Sequence, residues 1–216
     1  MKRIVGWTVV YAIAMAFVES AVVVYLRALT HGGPFVPGGA DFIPPRLLRI
    51  EVVREAATLV MLLALGRVAG RNAWERRLMT WLAFAVWDLA YYAWLWVLLG
   101  WPRSLFEWDV LFLIPVPWTG PVLAPILVSL GLIVGVGALL RVLQTGQRPS
   151  PRLWKLGAVL VGGLLILASF TLDFRAALQG HPPDQYHWGL FGVGFATAAV
   201  GFLAIALPER PWPDRS

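Results

Sequence analysis

Long apolar runs recur along the chain and are separated by shorter polar segments rich in Pro, Gly or basic residues. Six runs contain about 20 or more mainly apolar residues, the length that a helix needs to cross roughly 30 Å of hydrocarbon. They are Ile4 to Leu29, Leu47 to Val68, Leu78 to Leu99, Trp118 to Leu143, Leu153 to Arg175 and His187 to Leu207. Lipid offers no partner to backbone polar groups, so such runs are expected to be helices. The pattern predicts an all-α, polytopic membrane protein with six transmembrane helices in a single domain, residues 1–216.

The connections between the runs differ in length. Residues 70–74 and 144–151 form two short links, whereas 30–45, 100–118 and 176–186 form longer loops on the other side. The middle loop contains an apolar stretch, 109–118, which is too short to span and is broken by Pro115 and Pro117. A re-entrant segment, whose backbone is satisfied by neighbouring helices, and a plain interfacial loop are both consistent with this stretch.

Basic residues are distributed unequally between the two sides, and this predicts the orientation. Twelve of the 18 Lys and Arg residues lie beside the short links and the termini: Lys2, Arg3, Arg67, Arg71, Arg76, Arg77, Arg141, Arg148, Arg152, Lys155, Arg210 and Arg215. Both termini are therefore expected in the cytoplasm and the long loops outside it. The net charge of +6 follows from this topology and from contact with anionic lipid, so no nucleic-acid partner is predicted.

Composition narrows the chemistry further. Apolar residues make up 59% of the chain and charged residues 14%, which excludes an ordinary water-soluble domain. Cysteine is absent, so disulfides, cysteine zinc sites, covalently attached c-type haem and a thiol nucleophile are excluded.

Acidic residues concentrate in the outer loops and inside the spans, where an ionisable group is costly and usually faces other protein groups. In the second run Glu51, Arg54, Glu55 and Thr58 follow a spacing of i, i+3, i+4 and i+7, which places them on one helical stripe. Arg54 can bridge two carboxylates with its planar fork. The full candidate set for ligand binding is Glu19, Glu51, Arg54, Glu55, Asp88, Tyr92, Asp109 and Asp173.

Two interpretations of this set remain open. One is a pocket that opens outward beneath the long loops and contains Glu19, Glu51, Arg54, Glu55, Asp88 and Tyr92. The other is a sealed network of salt bridges that only fixes helix packing. The acids outnumber nearby arginines, so the cluster also implies a protonated carboxyl, a bound cation or access for water.

Other chemistries receive weaker support. His31, His181 and His187 lie at outer ends or in loops without metal-ligand spacing, so no metal site is predicted, and the sequence leaves the cofactor unknown. Trp87, Tyr91 and Trp94 share a helical face that suits a packed aromatic core or stacking on an aromatic ligand. Nucleophile-elbow and His-Glu-x-x-His motifs are absent, although acid/base chemistry with Glu51 and Glu55 remains open.

Three stretches, residues 16–27, 51–58 and 108–121, resemble a bacterial family of uncharacterised integral membrane proteins. The resemblance covers most of the first four spans. It implies a multi-pass protein of the bacterial inner (cytoplasmic) membrane and carries over no catalytic or binding residue.

Three functions follow as expectations. The first is an inner-membrane protein whose outward-facing Glu/Asp/Arg cluster binds a small ligand, cation or proton, with a role in transport. The second is a non-catalytic subunit of a larger respiratory or electron-transfer complex, with other membrane subunits as partners. The third is a membrane-embedded enzyme that uses paired carboxylates.

Overall fold

The computed structural model describes residues 1–29, 45–147, 149–178 and 185–207. Within these ranges the chain forms helices and one small sheet. The helices are α1 (Lys2–Leu29), α2 (Pro45–Ala69), α3 (Ala73–Leu99), α4 (Leu123–Gln144), α5 (Leu153–Thr171), α6 (Phe174–Leu178) and α7 (Trp188–Ala206). The strands are β1 (Trp108–Phe112) and β2 (Trp118–Pro121).

Among the described residues, five helical segments are long and apolar enough to cross a membrane: α1, α3, α4, α7 and Leu153–Ala176, which contains α5. The second predicted span, α2, is 25 residues long but does not meet the same criterion. Its sequence contains six charged residues: Arg46, Arg49, Glu51, Arg54, Glu55 and Arg67. The fold is thus a mostly helical bundle with five segments that composition alone qualifies as spans.

Several helices begin or end at residues other than the boundaries of the apolar runs. Helix α3 begins at Ala73, before the run that starts at Leu78, because the Asn72 side chain accepts a hydrogen bond of 2.9 Å from the Glu75 N–H. Helix α4 begins only at Leu123, because the preceding residues form β2. Helix α5 ends at Thr171, and the predicted run continues into the short helix α6.

The middle loop corrects the expectation of a purely helical protein. Strands β1 and β2 pair antiparallel in a hairpin, with an irregularity in register between Val110 and Phe112. The segment expected as a re-entrant stretch or a plain loop therefore satisfies much of its backbone within itself. Pro115 and Pro117 lie in the connection between the strands, where their missing N–H groups break no pairing.

The helices pack in a defined order. Helices α1 and α2 each pack against α3, α3 packs against α4, α4 against α7, and α7 against α5. One apolar cluster, which includes Leu78, Met79, Leu139 and Ile205, gathers the starts of α1 and α3 and the ends of α4 and α7. This side is called the N-terminal end below, and the opposite side is called the hairpin end. At the hairpin end a second cluster joins α4, α5 and α7 to Leu111 and Trp118 of the hairpin.

Candidate functional site

A cavity of about 680 Å³ lies between the helix pair α2–α3 and the group α4, α5 and α7, with the hairpin across one end. We call it the central cavity. Its charged lining residues come from α1, α2, α3 and β1: Glu19, Arg27, Glu51, Arg54, Glu55, Asp88 and Asp109. The five carboxyl groups are each at most 8% exposed as whole residues. The cavity therefore combines five buried acids with two guanidinium groups.

Part of this charge is neutralised within the protein. Arg54 forms ion pairs with both Glu19 and Glu51, and its Nε donates a hydrogen bond of 2.9 Å to Glu51 Oε1. The Thr58 hydroxyl donates to Glu19 Oε1 at 2.6 Å. Arg54 and Thr58 reach Glu19 because they stand one helical turn apart on the same face of α2. We call Glu19, Glu51, Arg54 and Thr58 the closed network; it ties α1 to α2.

Two other carboxyls, those of Glu55 and Asp88, form no ion pair among the described residues, although the charge of Arg54 lies close enough to act on Glu55. Glu55 accepts a hydrogen bond of 2.8 Å from the Leu113 N–H of the hairpin, and Asp88 accepts one of 2.8 Å from the Ser129 hydroxyl of α4. Within the described residues, neither carboxyl forms a salt bridge with a lysine or arginine. A buried carboxylate needs a nearby positive charge or several donors to offset its lost hydration. Glu55 and Asp88 thus form an open part of the cluster.

Asp109 of β1 belongs to the hairpin and meets α3. The Tyr92 hydroxyl donates a hydrogen bond of 3.0 Å to Asp109 Oδ2. Burial raises the pKa of Asp109 to about 6, although the Tyr92 hydrogen bond and the charge of Arg27 act in the opposite direction. Near neutral pH, Asp109 is therefore able to hold or release a proton.

Aromatic rings cover much of the wall beside these acids. Trp87 stacks with Tyr91 at a centroid distance of 6.2 Å and lies 6.3 Å from Phe112. Phe112 in turn lies 5.2 Å from Trp118, which stacks with Phe170 at 6.5 Å. All five residues line the central cavity, so α3, the hairpin and α5 share one aromatic surface.

Three buried donors on this lining have no acceptor among the described residues. They are Nε1 of Trp87, Nε1 of Trp118 and Nε of Arg27. The Trp87 residue is only 7% exposed. The Arg27 guanidinium lies 4.6 Å from the centroid of the Trp101 ring. Because a buried polar group without a hydrogen-bond partner is costly, these donors are places where a bound molecule can supply an acceptor.

The remainder of the cavity is apolar and extends from the hairpin toward the N-terminal end. Its walls there come from Trp81 and Phe84 of α3, from Val159 and Leu160 of α5, and from Phe202 of α7. Helices α2 and α5 border the cavity without forming a packed pair. Leu160 is 63% exposed, so the cavity is open along the side at which α5 presents its aliphatic residues.

The structure brings seven of the eight candidate residues to this cavity: Glu19, Glu51, Arg54, Glu55, Asp88, Tyr92 and Asp109. The eighth, Asp173, is not among the lining residues and instead contacts His187, with 2.8 Å between Oδ2 and Nε2. Asp173 follows α5 at its end, where it faces the start of α7 rather than the carboxylates of α2 and α3.

Sequence reasoning missed two groups that shape the site. One is Ser129, whose contact with Asp88 depends on how α3 meets α4. The other is the apolar wall of α5 and α7, which includes Gly163, Leu164 and Ala198. Small residues in those helices were a detectable signal, because they leave space beside a helix. The side to which that space faces depends on tertiary packing.

Within the described ranges, no group of three or more His, Asp and Glu side chains is arranged to hold a metal ion. His31 and His181 lie outside the described residues, and His187 pairs with Asp173.

Comparisons with protein-family models, with curated proteins and with solved structures find no match to this chain.

Proposed function

We propose that this chain is a multi-pass protein of the bacterial inner membrane and that it binds one small molecule in the central cavity. Six helices cross the membrane in this proposal, including α2, whose charged face points inward to the closed network. The termini are cytoplasmic, and the hairpin end faces outward. The basic residues near the N-terminal end support this orientation.

One observation favours a ligand-binding cavity over a salt-bridge network that only fixes helix packing. A sealed salt-bridge network would leave neither space nor acids outside an ion pair, yet the cavity of about 680 Å³ adjoins Glu55 and Asp88, which form no ion pair in the described chain. Pockets that bind small molecules are commonly about 300 to 1,000 Å³, mostly apolar, with a few placed polar groups. The central cavity matches this description in size and lining.

The closed network has a separate role in the proposal. Arg54 forms ion pairs with Glu19 and Glu51 and thereby fixes α2 against α1, while the open acids face the bound molecule. The two interpretations of the sequence thus apply to different parts of one cluster. Such a binding site is consistent with transport, with an enzymatic reaction and with a role as a subunit of a complex.

A cavity-filling substitution tests the proposal without altering any charge. Gly163 lines the cavity, and a Cβ added there would meet no atom within 4 Å, so Gly163→Leu should occupy space in the cavity and leave the fold intact. Gly157 of the same helix also has nothing within 4 Å but is not a lining residue, so Gly157→Leu is the matched control.

Native mass spectrometry of the protein, released from nanodiscs formed with native membrane, provides the measurement. We expect the original chain and Gly157→Leu to retain one added mass per chain and Gly163→Leu to lose it. The proposal is wrong if no mass is retained, or if Gly163→Leu retains as much as the control.

A further inference from the structure

We propose that the molecule bound in the central cavity is a zwitterionic aminolipid, with an ammonium group at Glu55 and Asp88, an anionic acceptor at the unpartnered donors, and a hydrocarbon chain in the apolar part. This inference rests on the proposed function and names its ligand class. Each part of the ligand is assigned from a separate feature of the lining.

The ammonium group follows from the two carboxyls that form no ion pair. Five carboxyl groups and two guanidinium groups line the cavity, and Arg54 is already engaged by Glu19 and Glu51. Glu55 and Asp88 each receive a hydrogen bond from a neutral donor only. A cation with several N–H donors supplies a local positive charge and further hydrogen bonds at these two carboxyls.

The aromatic surface favours the same group. Trp87, Tyr91 and Phe112 line the same cavity as Asp88, and their ring faces attract cations. A compact ammonium can therefore contact carboxylates and ring faces together. An anionic head without a cation would face five acids in a poorly hydrated space, which is unfavourable.

The anionic acceptor follows from the unpartnered donors. Trp87 Nε1, Trp118 Nε1 and Arg27 Nε are buried on cavity-lining residues and have no acceptor in the described chain. A simple alkylammonium ion would leave all three unsatisfied. A phosphate ester carries several acceptor oxygens and a negative charge that suits Arg27.

The hydrocarbon chain follows from the shape of the cavity. Beyond the acids the lining is apolar as far as Phe202 of α7, and the side between α2 and α5 is not closed by helix packing. In a bilayer this side faces acyl chains, so a lipid can move in sideways and leave part of its tail outside. A water-soluble molecule with the same head would gain nothing from this surface.

Lipid competition in native mass spectrometry tests the class. Delipidated protein is mixed with dioleoyl phosphatidylethanolamine, with dioleoyl phosphatidylglycerol, or with water-soluble phosphoethanolamine, which has the same head and no tail. We expect one phosphatidylethanolamine per chain to bind at least about tenfold more tightly than phosphatidylglycerol, the difference that one charge-assisted hydrogen bond provides. Soluble phosphoethanolamine should not displace it.

Substitutions of lining residues test whether the preference for phosphatidylethanolamine arises in the central cavity. Glu55→Gln and Asp88→Asn keep the shape and an acceptor oxygen but remove the charge, so each should reduce the preference for phosphatidylethanolamine by about tenfold. Glu107→Gln is the control, because this acid lies between α3 and β1 and is not a lining residue. Melting temperatures verify that each variant is folded, and Glu55→Gln provides the test if Asp88→Asn does not fold.

The outcomes separate this inference from the proposed function. Equal binding of both lipids, or a preference that survives Glu55→Gln, overturns the aminolipid assignment. Displacement by soluble phosphoethanolamine also overturns it, because the head alone would then suffice. In each case a retained mass that is sensitive to Gly163→Leu would leave the cavity as a binding site for another class of molecule.

Discussion

At the scale of single residues, the spacing of the charged residues in α2 predicts which of them share a helical face. It does not predict which residues of other helices they contact. The i, i+3, i+4 spacing of Glu51, Arg54 and Glu55 predicts a common face because helical geometry is local. The contact between Asp88 and Ser129 joins residues that are 41 positions apart and depends on the packing of α3 against α4. Sequence could therefore indicate which residues are costly to bury, but not which neighbour satisfies each one.

The pKa of Asp109 gives a prediction for Asp109→Asn. Burial raises this pKa from 3.8 to about 6, so between these values the folded protein binds more protons at this site than the unfolded chain. The stability contributed by the neutral carboxyl is complete below pH 3.8 and is lost as pH rises to about 6. The amide introduced by the substitution cannot ionise, although its oxygen can still accept from Tyr92, so the variant should avoid this loss.

The measurement is the melting temperature of both proteins in one detergent between about pH 4 and pH 7.5. The melting temperature of the original chain, relative to Asp109→Asn, should fall up to about pH 6 and then stay level. Acids that do not interact with Asp109 contribute equally to both curves, so the difference between the curves reports Asp109 together with Asp88, on which the charge of Asp109 acts. A difference that is independent of pH would contradict the raised pKa.

At the scale of elements, apolar runs predicted where the long helices lie, and the hairpin shows where this method fails. A run of about 20 apolar residues has few alternatives to a helix in lipid. The shorter stretch at 109–118 can satisfy its backbone either through helices or through a strand partner. The partner, Trp118–Pro121, belonged to the run predicted as the fourth span, so the pairing could not be detected from apolar length alone.

Glycines bring α5 and α7 into backbone contact, and a pair of substitutions in α7 tests this interface. A Cβ at Gly194 would lie 2.9 Å from the Gly162 carbonyl oxygen and 2.9 Å from the Ile166 nitrogen, so Gly194→Ala must push the helices apart. A Cβ at Gly192 would meet nothing within 4 Å. Both changes raise helix propensity by about 1 kcal/mol, so propensity cancels in the comparison.

We expect Gly194→Ala to destabilise the protein by about 1 to 3 kcal/mol through overpacking and Gly192→Ala to be neutral or stabilising. Thermal unfolding in a fixed detergent measures both. Equal melting temperatures for the two variants would contradict a tight backbone contact between α5 and α7.

At the scale of the whole molecule, the charged helix α2 determines the topology. If α2 crosses the membrane, as we propose, the hairpin end lies opposite the N-terminus. If α2 lies along the surface instead, α3 crosses in the reverse direction and residue 104 falls on the same side as residue 2. The cavity would then lack one wall within the bilayer, because Glu51, Arg54 and Glu55 all come from α2.

Single cysteines distinguish these arrangements, and the absence of native cysteine gives a clean background. Lys2→Cys and Gln147→Cys report on the N-terminal end, and Ser104→Cys reports on the hairpin end; all three native residues are exposed.

In intact bacterial cells a membrane-impermeant maleimide should label only Ser104→Cys. After permeabilisation, it should label all three. Opposite labelling of positions 2 and 104 follows from a crossing α2 because each additional span reverses the side of the chain. The twelve basic residues that lie in sequence beside the short links and the termini favour the cytoplasm for positions 2 and 147. Labelling of positions 2 and 104 on the same side would place α2 outside the bilayer core and remove the membrane-embedded cavity on which the proposed binding depends.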